Sequence, residues 1–252
     1  MNPDPRPPNL RTIYDEFAET YEAHRGQFDM TPILEPFFHT LGKKTGRLLD
    51  LGCGAGEPFA RTFLDRGWDV VGVDFSEPFL RLAKRYAPKM KTIHSDMLTV
   101  EFDSASFDAL TCIYSLFHTP RARHPDLFTK FYRWLRPGGQ ALFTYATQAY
   151  TGQDEFEGTK EFMGRNLFYS HTTPEHLYTQ LQAAGLSVES ALLHNIGGES
   201  FLWVTLRKPS TPLGGMKHQQ AVGDGTARTT LHSMPADNPS PFSGCTSPPY
   251  LP

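Results

Sequence analysis

From Arg47 to Lys208 short apolar runs alternate with amphipathic stretches, and this alternation limits the possible folds more than any other feature. "RLLDL", "DVVGVD", "KTIHSD", "FDALTCIYS" and "QALFTYA" read as strands. "EPFARTFLDRG" reads as a helix with Phe59, Ala60, Phe63 and Leu64 on one face. "SEPFLRLAKRYA" reads as another, with Ser76 as N-cap, Pro78 in its first turn and Phe79, Leu82, Ala83 and Tyr86 inward. "HPDLFTKFYRWLRPGG" places Leu127, Phe128, Phe131 and Leu135 on one stripe before Pro137 breaks it, and "TPEHLYTQLQAAG" has Thr173 as N-cap. Strand–helix repetition of this kind needs a mostly parallel sheet with helices on both faces. "LSVESALLHN" and "SFLWVTLRK" flank "IGGE" at hairpin spacing. Two strands of a hairpin oppose each other, so one of them runs against the rest. The expected class is α/β: a doubly wound, seven-stranded sheet, mostly parallel, with one antiparallel strand in a C-terminal hairpin.

Two helical patterns precede the sheet, "RTIYDEFAETYEAHRG", ending near Gly26, and "TPILEPFFHTL". Residues 11–208 form the expected domain. Within it, 11–45 are a helical cap, and 147–172, where the pattern is less regular, are a lid or insertion. Residues 1–10 and the Pro- and Gly-rich 209–252 lack an apolar face and are expected to be disordered.

The first strand runs straight into "DLGCGAGE", with Gly52, Gly54 and Gly56 at alternate positions. Glycine after a buried strand lets the backbone turn tightly and approach a ligand, and the following helix adds N–H groups. Glu57 stands where a dinucleotide fingerprint has its third glycine. Asp74 ends the second strand, where a carboxylate can accept from ribose hydroxyls, and Asp96 ends the third, where it can accept from an exocyclic amine. Asp50, just before the glycines, suits a cationic ligand better than a pyrophosphate. Asp108 reads as a strand-start residue and Cys53 as a small loop residue.

These segments together resemble the class I S-adenosylmethionine-dependent methyltransferases, over roughly Tyr14 to Lys208. "LLDLGCGAGE", "VVGVDFS", "IHSDM", "FDALTCIYSLFH" and "LRPGGQALFT" are similar to that family's motifs in order and spacing, and "YDEFAETY" to its cap helix. "GEPFAR", "LFYSHTTPEHLYTQLQAAGLSVE" and "GGESFLWVTLRK" further resemble a small-molecule subgroup, some of whose members act in secondary metabolism. The resemblance implies a Rossmann-like fold, S-adenosyl-L-methionine as cofactor and a small-molecule substrate methylated at O, N or S. It implies that Gly52, Gly54, Gly56 and Asp50 lie near the methionine moiety, that Asp74 holds the ribose, and that Asp96 and Met97 hold the adenine. Phe75 edges the adenine pocket or is simply core. Tyr114 lies near the sulfonium, and Tyr14 and Tyr21 on the cap helix close over the site or merely pack it. Three residues stand as alternative catalytic bases: His118 after the fourth strand, His171 in "FYSH" and Glu199 in the hairpin turn.

Composition narrows the partners. With 24 Lys and Arg against 27 Asp and Glu the formal charge is −3, which disfavours a nucleic-acid partner, as does the lack of an "NPPY"-like tetrapeptide. No apolar run approaches a membrane span and no leader pattern is visible, so the expectation is no membrane partner and a cytoplasmic location. Three distant cysteines and no carboxylate cluster imply neither a disulfide framework nor a metal. A monomer or homodimer is expected. A nicotinamide-dependent oxidoreductase and a non-catalytic cofactor-binding regulator are the alternatives. The G-x-G-x-G spacing counts against the first and the retained Asp50, Asp74 and Asp96 against the second.

Overall fold

The computed structural model describes residues 5–23, 29–162 and 164–210. They belong to the unit Met1–Gly214; Gly215–Pro252 lies outside the described residues. So do Gly26 and the expected disordered stretch from residue 211 onward.

The sheet is built from β1 (Arg47–Leu51), β2 (Asp69–Asp74), β3 (Lys91–His94), β4 (Phe107–Cys112), β5 (Leu135–Tyr145), β8 (Ser187–Ile196) and β9 (Glu199–Arg207). Their order is β3-β2-β1-β4-β5-β9-β8. Neighbours from β3 to β5 are parallel, and β9 runs antiparallel to both β5 and β8. The chain winds outward from β1 to β3, then returns to β4 on the other side of β1. The crevice at the carboxyl ends of β1 and β4 is therefore the topological switch point, where open α/β sheets hold ligands.

Adjacent residues of each strand serve opposite faces. Leu49, Leu51, Val71, Val73 and Leu110 pack on Leu127, Phe128 and Phe131 of α5 (His124–Trp134) and on Leu177 and Leu181 of α7 (Pro174–Ala183). Leu48, Val70 and Ala109 face α2 (Thr31–Leu41), α3 (Phe59–Asp65) and α4 (Glu77–Tyr86), meeting Leu34, Phe37, Phe63, Leu80 and Ala83. The Ser76 and Thr173 side chains accept from the backbone N–H of Phe79 and His176, capping α4 and α7.

Three expectations differ. Leu135 leaves the helical stripe: α5 stops at Trp134 and Leu135 opens β5 opposite Phe107, because the approach to Pro137 disfavours helical backbone. The stretch after β5 is more regular than its sequence suggests. It holds a short helix α6 (Gln148–Thr151) and an antiparallel hairpin of β6 (Phe156–Phe162) and β7 (Arg165–His171). Leu10, within the stretch expected to be disordered, is buried and opens α1 (Leu10–Ala23), and Arg6 is ion-paired to Asp96 at 2.8 Å. No described helix is long and apolar enough to cross a membrane.

Candidate active site

The carboxyl ends of β1, β2 and β3 open on a cavity of about 570 Å3, in the range of small-molecule sites. Its floor is the glycine turn. Gly52 and Cys53 donate backbone N–H bonds to the Val73 carbonyl at 2.8 and 3.1 Å, which ties the turn to β2. Gly52 has φ +66°, and a Cβ there would stand 2.3 Å from the Ser115 Cβ. The bare backbone is thus required by the β4 loop crossing above it.

Asp50 is 4% exposed, and Oδ1 accepts from the Thr111 hydroxyl at 2.7 Å, from the residue beside it on β4. Burial lifts its carboxyl to about 7, against the Thr111 bond. Asp74 accepts the Gly54 N–H at 2.9 Å on Oδ2 and the Ser76 N–H at 2.8 Å on Oδ1. Burial lifts it to about 6, opposed by those two bonds. Neither acid is paired to Lys or Arg among the described residues, so a cationic or hydroxyl-rich ligand is the available partner. Asp74 also braces the turn and the α4 entry, a structural duty that a strand-end acid does not advertise. Asp96 accepts the Leu98 N–H at 2.9 Å on Oδ1 and Arg6 on Oδ2.

Tyr14, Tyr21, Phe75, Met97, Tyr114, His118 and Glu199 all line this cavity along with the glycines and the acids. Tyr14 meets the rings of Phe75 at 5.4 Å and His118 at 5.3 Å, and its buried hydroxyl has no hydrogen-bond partner among the described residues. Tyr21 donates to the Glu57 carbonyl at 3.1 Å. Cap helix α1 is also held by Asp15, which accepts from the Ser76 hydroxyl at 2.6 Å. Tyr114 adopts φ +51°, donates its backbone N–H to the Thr144 hydroxyl at 2.6 Å, and packs edge-on against Phe201 and Trp203. Burial pushes its hydroxyl, like that of Tyr14, well above the usual tyrosine range.

The three candidate bases separate. His118 is 8% exposed, and its Nδ1–H donates to the Phe168 carbonyl at 2.6 Å, which leaves Nε2 bearing the lone pair. Burial lowers its pKa to about 4. Glu199 opens β9 at the cavity wall, its carboxyl raised by burial and opposed by the Tyr150 hydroxyl and Lys160. His171 lies outside the lining. It shares a strand face with Leu167 and Tyr169, which do reach the cavity, but it sits at the far end of β7. There Nε2 accepts from Thr151 of α6 at 2.7 Å and Nδ1 donates to the Thr172 carbonyl at 3.1 Å. These contacts join the hairpin to α6.

Sequence reasoning did not single out Phe117, Tyr169 and Phe201, which wall the cavity opposite the acids. Phe117 stacks on Phe201 at 4.8 Å and on Tyr169 at 5.4 Å, with interplanar angles of 8° and 17°. Among the described residues no His, Cys, Asp or Glu group of three or more is placed to hold a metal ion.

Tyr14→Phe follows from the orphaned hydroxyl. An unpaired buried polar atom costs about 1–3 kcal/mol, so the ligand-free variant should melt at or above the wild-type temperature. Thermal denaturation with and without ligand is the measurement. A lower melting temperature without ligand would show that the hydroxyl is satisfied in the free protein.

The switch-point crevice, glycine turn and strand-end acids define an α/β protein whose cavity lies where open α/β sheets hold ligands. Residues 48–139 match the sequence model of a methyltransferase domain. It is 30% identical over 154 residues to the 24-methylenesterol C-methyltransferase 2 of Oryza sativa, covering 53% of this chain and 42% of that one. It is 28% identical over 195 residues to the demethylmenaquinone methyltransferase of Paenarthrobacter aurescens, covering 73% and 68%. The chain spans about half the length of the curated relatives it matches. Among solved structures, the 1,6-didemethyltoxoflavin-N1-methyltransferase of Burkholderia thailandensis, with bound S-adenosylhomocysteine, superposes with a TM-score of 0.59 at 20% identity, covering 79% of this chain and 88% of that one. That likeness is one of fold.

Proposed function

We propose that this chain binds S-adenosylmethionine in the cavity and catalyses transfer of its methyl group to a small-molecule acceptor. The observation that carries the reading is the placement of Asp50, Asp74 and Asp96 at the ends of three adjacent strands around one glycine turn. The cavity suits the cofactor on two counts. Buried Asp50 and half-buried Asp74 have no Lys or Arg partner among the described residues and can take a cation and hydroxyls, and the buried Tyr14 hydroxyl has no partner among the described residues. In this reading Asp50 takes the amino group, Asp74 the ribose hydroxyls, and Asp96 with Met97 the adenine, while Tyr14, Tyr21, Phe75 and Tyr114 cover the site.

The bound cofactor supplies an electrophilic methyl on sulfur. The chain's own residues align the acceptor with it, exclude water and accept any released proton. The aromatic wall of Phe117, Tyr169 and Phe201 supports an acceptor that is small and largely apolar. The hairpin of residues 156–171 contributes Phe162, Leu167 and Tyr169 to that wall and is the candidate selector of acceptors.

Calorimetry with S-adenosylhomocysteine and with NADH tests the reading: the first should bind and the second should not. Tight NADH binding with no response to the adenosyl compound would reverse the assignment. The same titration should depend on pH. Asp50 must ionise to hold an ammonium group, and its free carboxyl titrates at about 7. Binding therefore pulls its pKa down and releases a proton. Affinity should fall roughly tenfold per pH unit below about 7 and level off above it. Titration in buffers of different ionisation enthalpy reads the proton count, and a flat profile from pH 5 to 8 would remove Asp50 from the ammonium contact.

A further inference from the structure

One polar atom in the acceptor half of the cavity has a defined hydrogen-bonding demand. The Phe168 carbonyl fixes the His118 proton on Nδ1, so Nε2 can only accept. The ring is held there by its neighbours, Phe117 at 4.6 Å, Tyr169 at 4.8 Å and Tyr14 at 5.3 Å. The turn carrying it is also fixed to the hairpin. The Ser170 hydroxyl donates to the Thr119 carbonyl at 2.5 Å, and His124 Nε2 stands 3.2 Å from the same oxygen. His118 is thus a rigid acceptor beside a wall of flat rings. A ligand with only acceptors or alkene carbons there leaves a buried lone pair unmatched.

Resting on the methyl-transfer reading, we propose that the acceptor is a hydroxyl compound on an apolar ring skeleton, and that its O–H is donated to Nε2 of His118. The chemistry separates this class from alkylamines and alkenes. An oxygen nucleophile becomes strongly acidic as the O–CH3 bond forms, so even a weakly basic neutral imidazole can take its proton. An alkylammonium must lose a proton before it can attack, which a buried imidazole lowered to about 4 does not achieve. An alkene carbon has no proton to donate to Nε2. The balance is simple. The O–CH3 bond forms, the S–CH3 bond breaks with its electron pair left on sulfur as a neutral thioether, and the hydroxyl proton passes to Nε2 and then to solvent.

Binding to the full chain saturated with S-adenosylhomocysteine tests this without turnover. The probes are 2-naphthol and its methyl ether 2-methoxynaphthalene. 2-Naphthol should bind roughly tenfold or more tightly than the ether, the factor of one hydrogen bond to a buried acceptor. In His118→Asn the amide nitrogen stands where Nδ1 stands and keeps the bond to Phe168, while the acceptor at Nε2 is gone. That variant should hold the methyl ether as the wild type does and lose the preference for 2-naphthol. Equal binding of naphthol and ether in the wild type, no binding of naphthol, or a preference surviving in His118→Asn would each overturn the proposal. Failure of S-adenosylhomocysteine to bind at all would instead overturn the methyl-transfer reading.

Discussion

Gly52→Ala should cost about 2–4 kcal/mol of stability and abolish binding of S-adenosylhomocysteine. The added methyl would lie 2.3 Å from the Ser115 Cβ and 2.7 Å from its Oγ. Ser115 is not free to yield. Its hydroxyl donates to the Leu51 carbonyl at 2.9 Å and lies 3.2 Å from the Cys112 sulfur, so moving it breaks the join between β1 and the loop after β4. The backbone adds its own penalty, because φ +66° is a left-handed conformation costing a side-chain-bearing residue roughly 1–2 kcal/mol. The two terms are separable. In the double variant Gly52→Ala with Ser115→Gly the clash is gone, while the left-handed term and the loss of the Ser115 hydrogen bonds remain. Gly52→Ala should therefore cost less stability in the Ser115→Gly background than in the wild type, with denaturant midpoints as the measure. If Gly52→Ala costs the same in both backgrounds, Ser115 is not what excludes a side chain.

The need for glycine was visible in the sequence, while its cause was not. Gly52 could be read from its place after a strand, but Ser115 lies far along the chain and meets it only because β4 pairs with β1. Patterns local to one element, such as the Ser76 and Thr173 caps and the alternating strand faces, were legible. So was the hairpin that sends β9 against the rest, since its turn is only a few residues long.

Features that depend on pairing between distant segments were not. His171 looked equivalent to His118, both being histidines just beyond apolar runs. The difference comes from register: β7 carries Tyr169 to the cavity and leaves His171 opposite Phe156, beneath α6. The hairpin itself was hidden because charged residues interrupt the apolar alternation of "FEGTKEF", whose outer face is exposed. The Arg6 pairing with Asp96 joins residues 90 apart, and a proline-rich stretch gave no local sign of it.

Asp50→Asn should separate binding from folding more cleanly than any other substitution in the site. The amide matches the carboxylate in shape and keeps an oxygen for the Thr111 hydroxyl. In the unliganded protein the carboxyl titrates at about 7, well above its ordinary value, because burial penalises the charge. A group raised on folding adds stability that is complete below the unfolded pKa, near 4, and is lost as pH rises through the folded one. At pH 8 the wild type therefore carries an unfavourable buried charge that the amide lacks. The variant should be more stable than wild type at pH 8, by about 1–3 kcal/mol, and close to it at pH 5. Binding should move the other way. With no carboxylate for the ammonium, S-adenosylhomocysteine affinity should drop at least tenfold at pH 8, and its dependence on pH should flatten. Denaturation and calorimetry at the two pH values read both effects. If stability at pH 8 falls together with affinity, Asp50 is a structural acid whose charge the fold needs, and the ammonium contact belongs elsewhere.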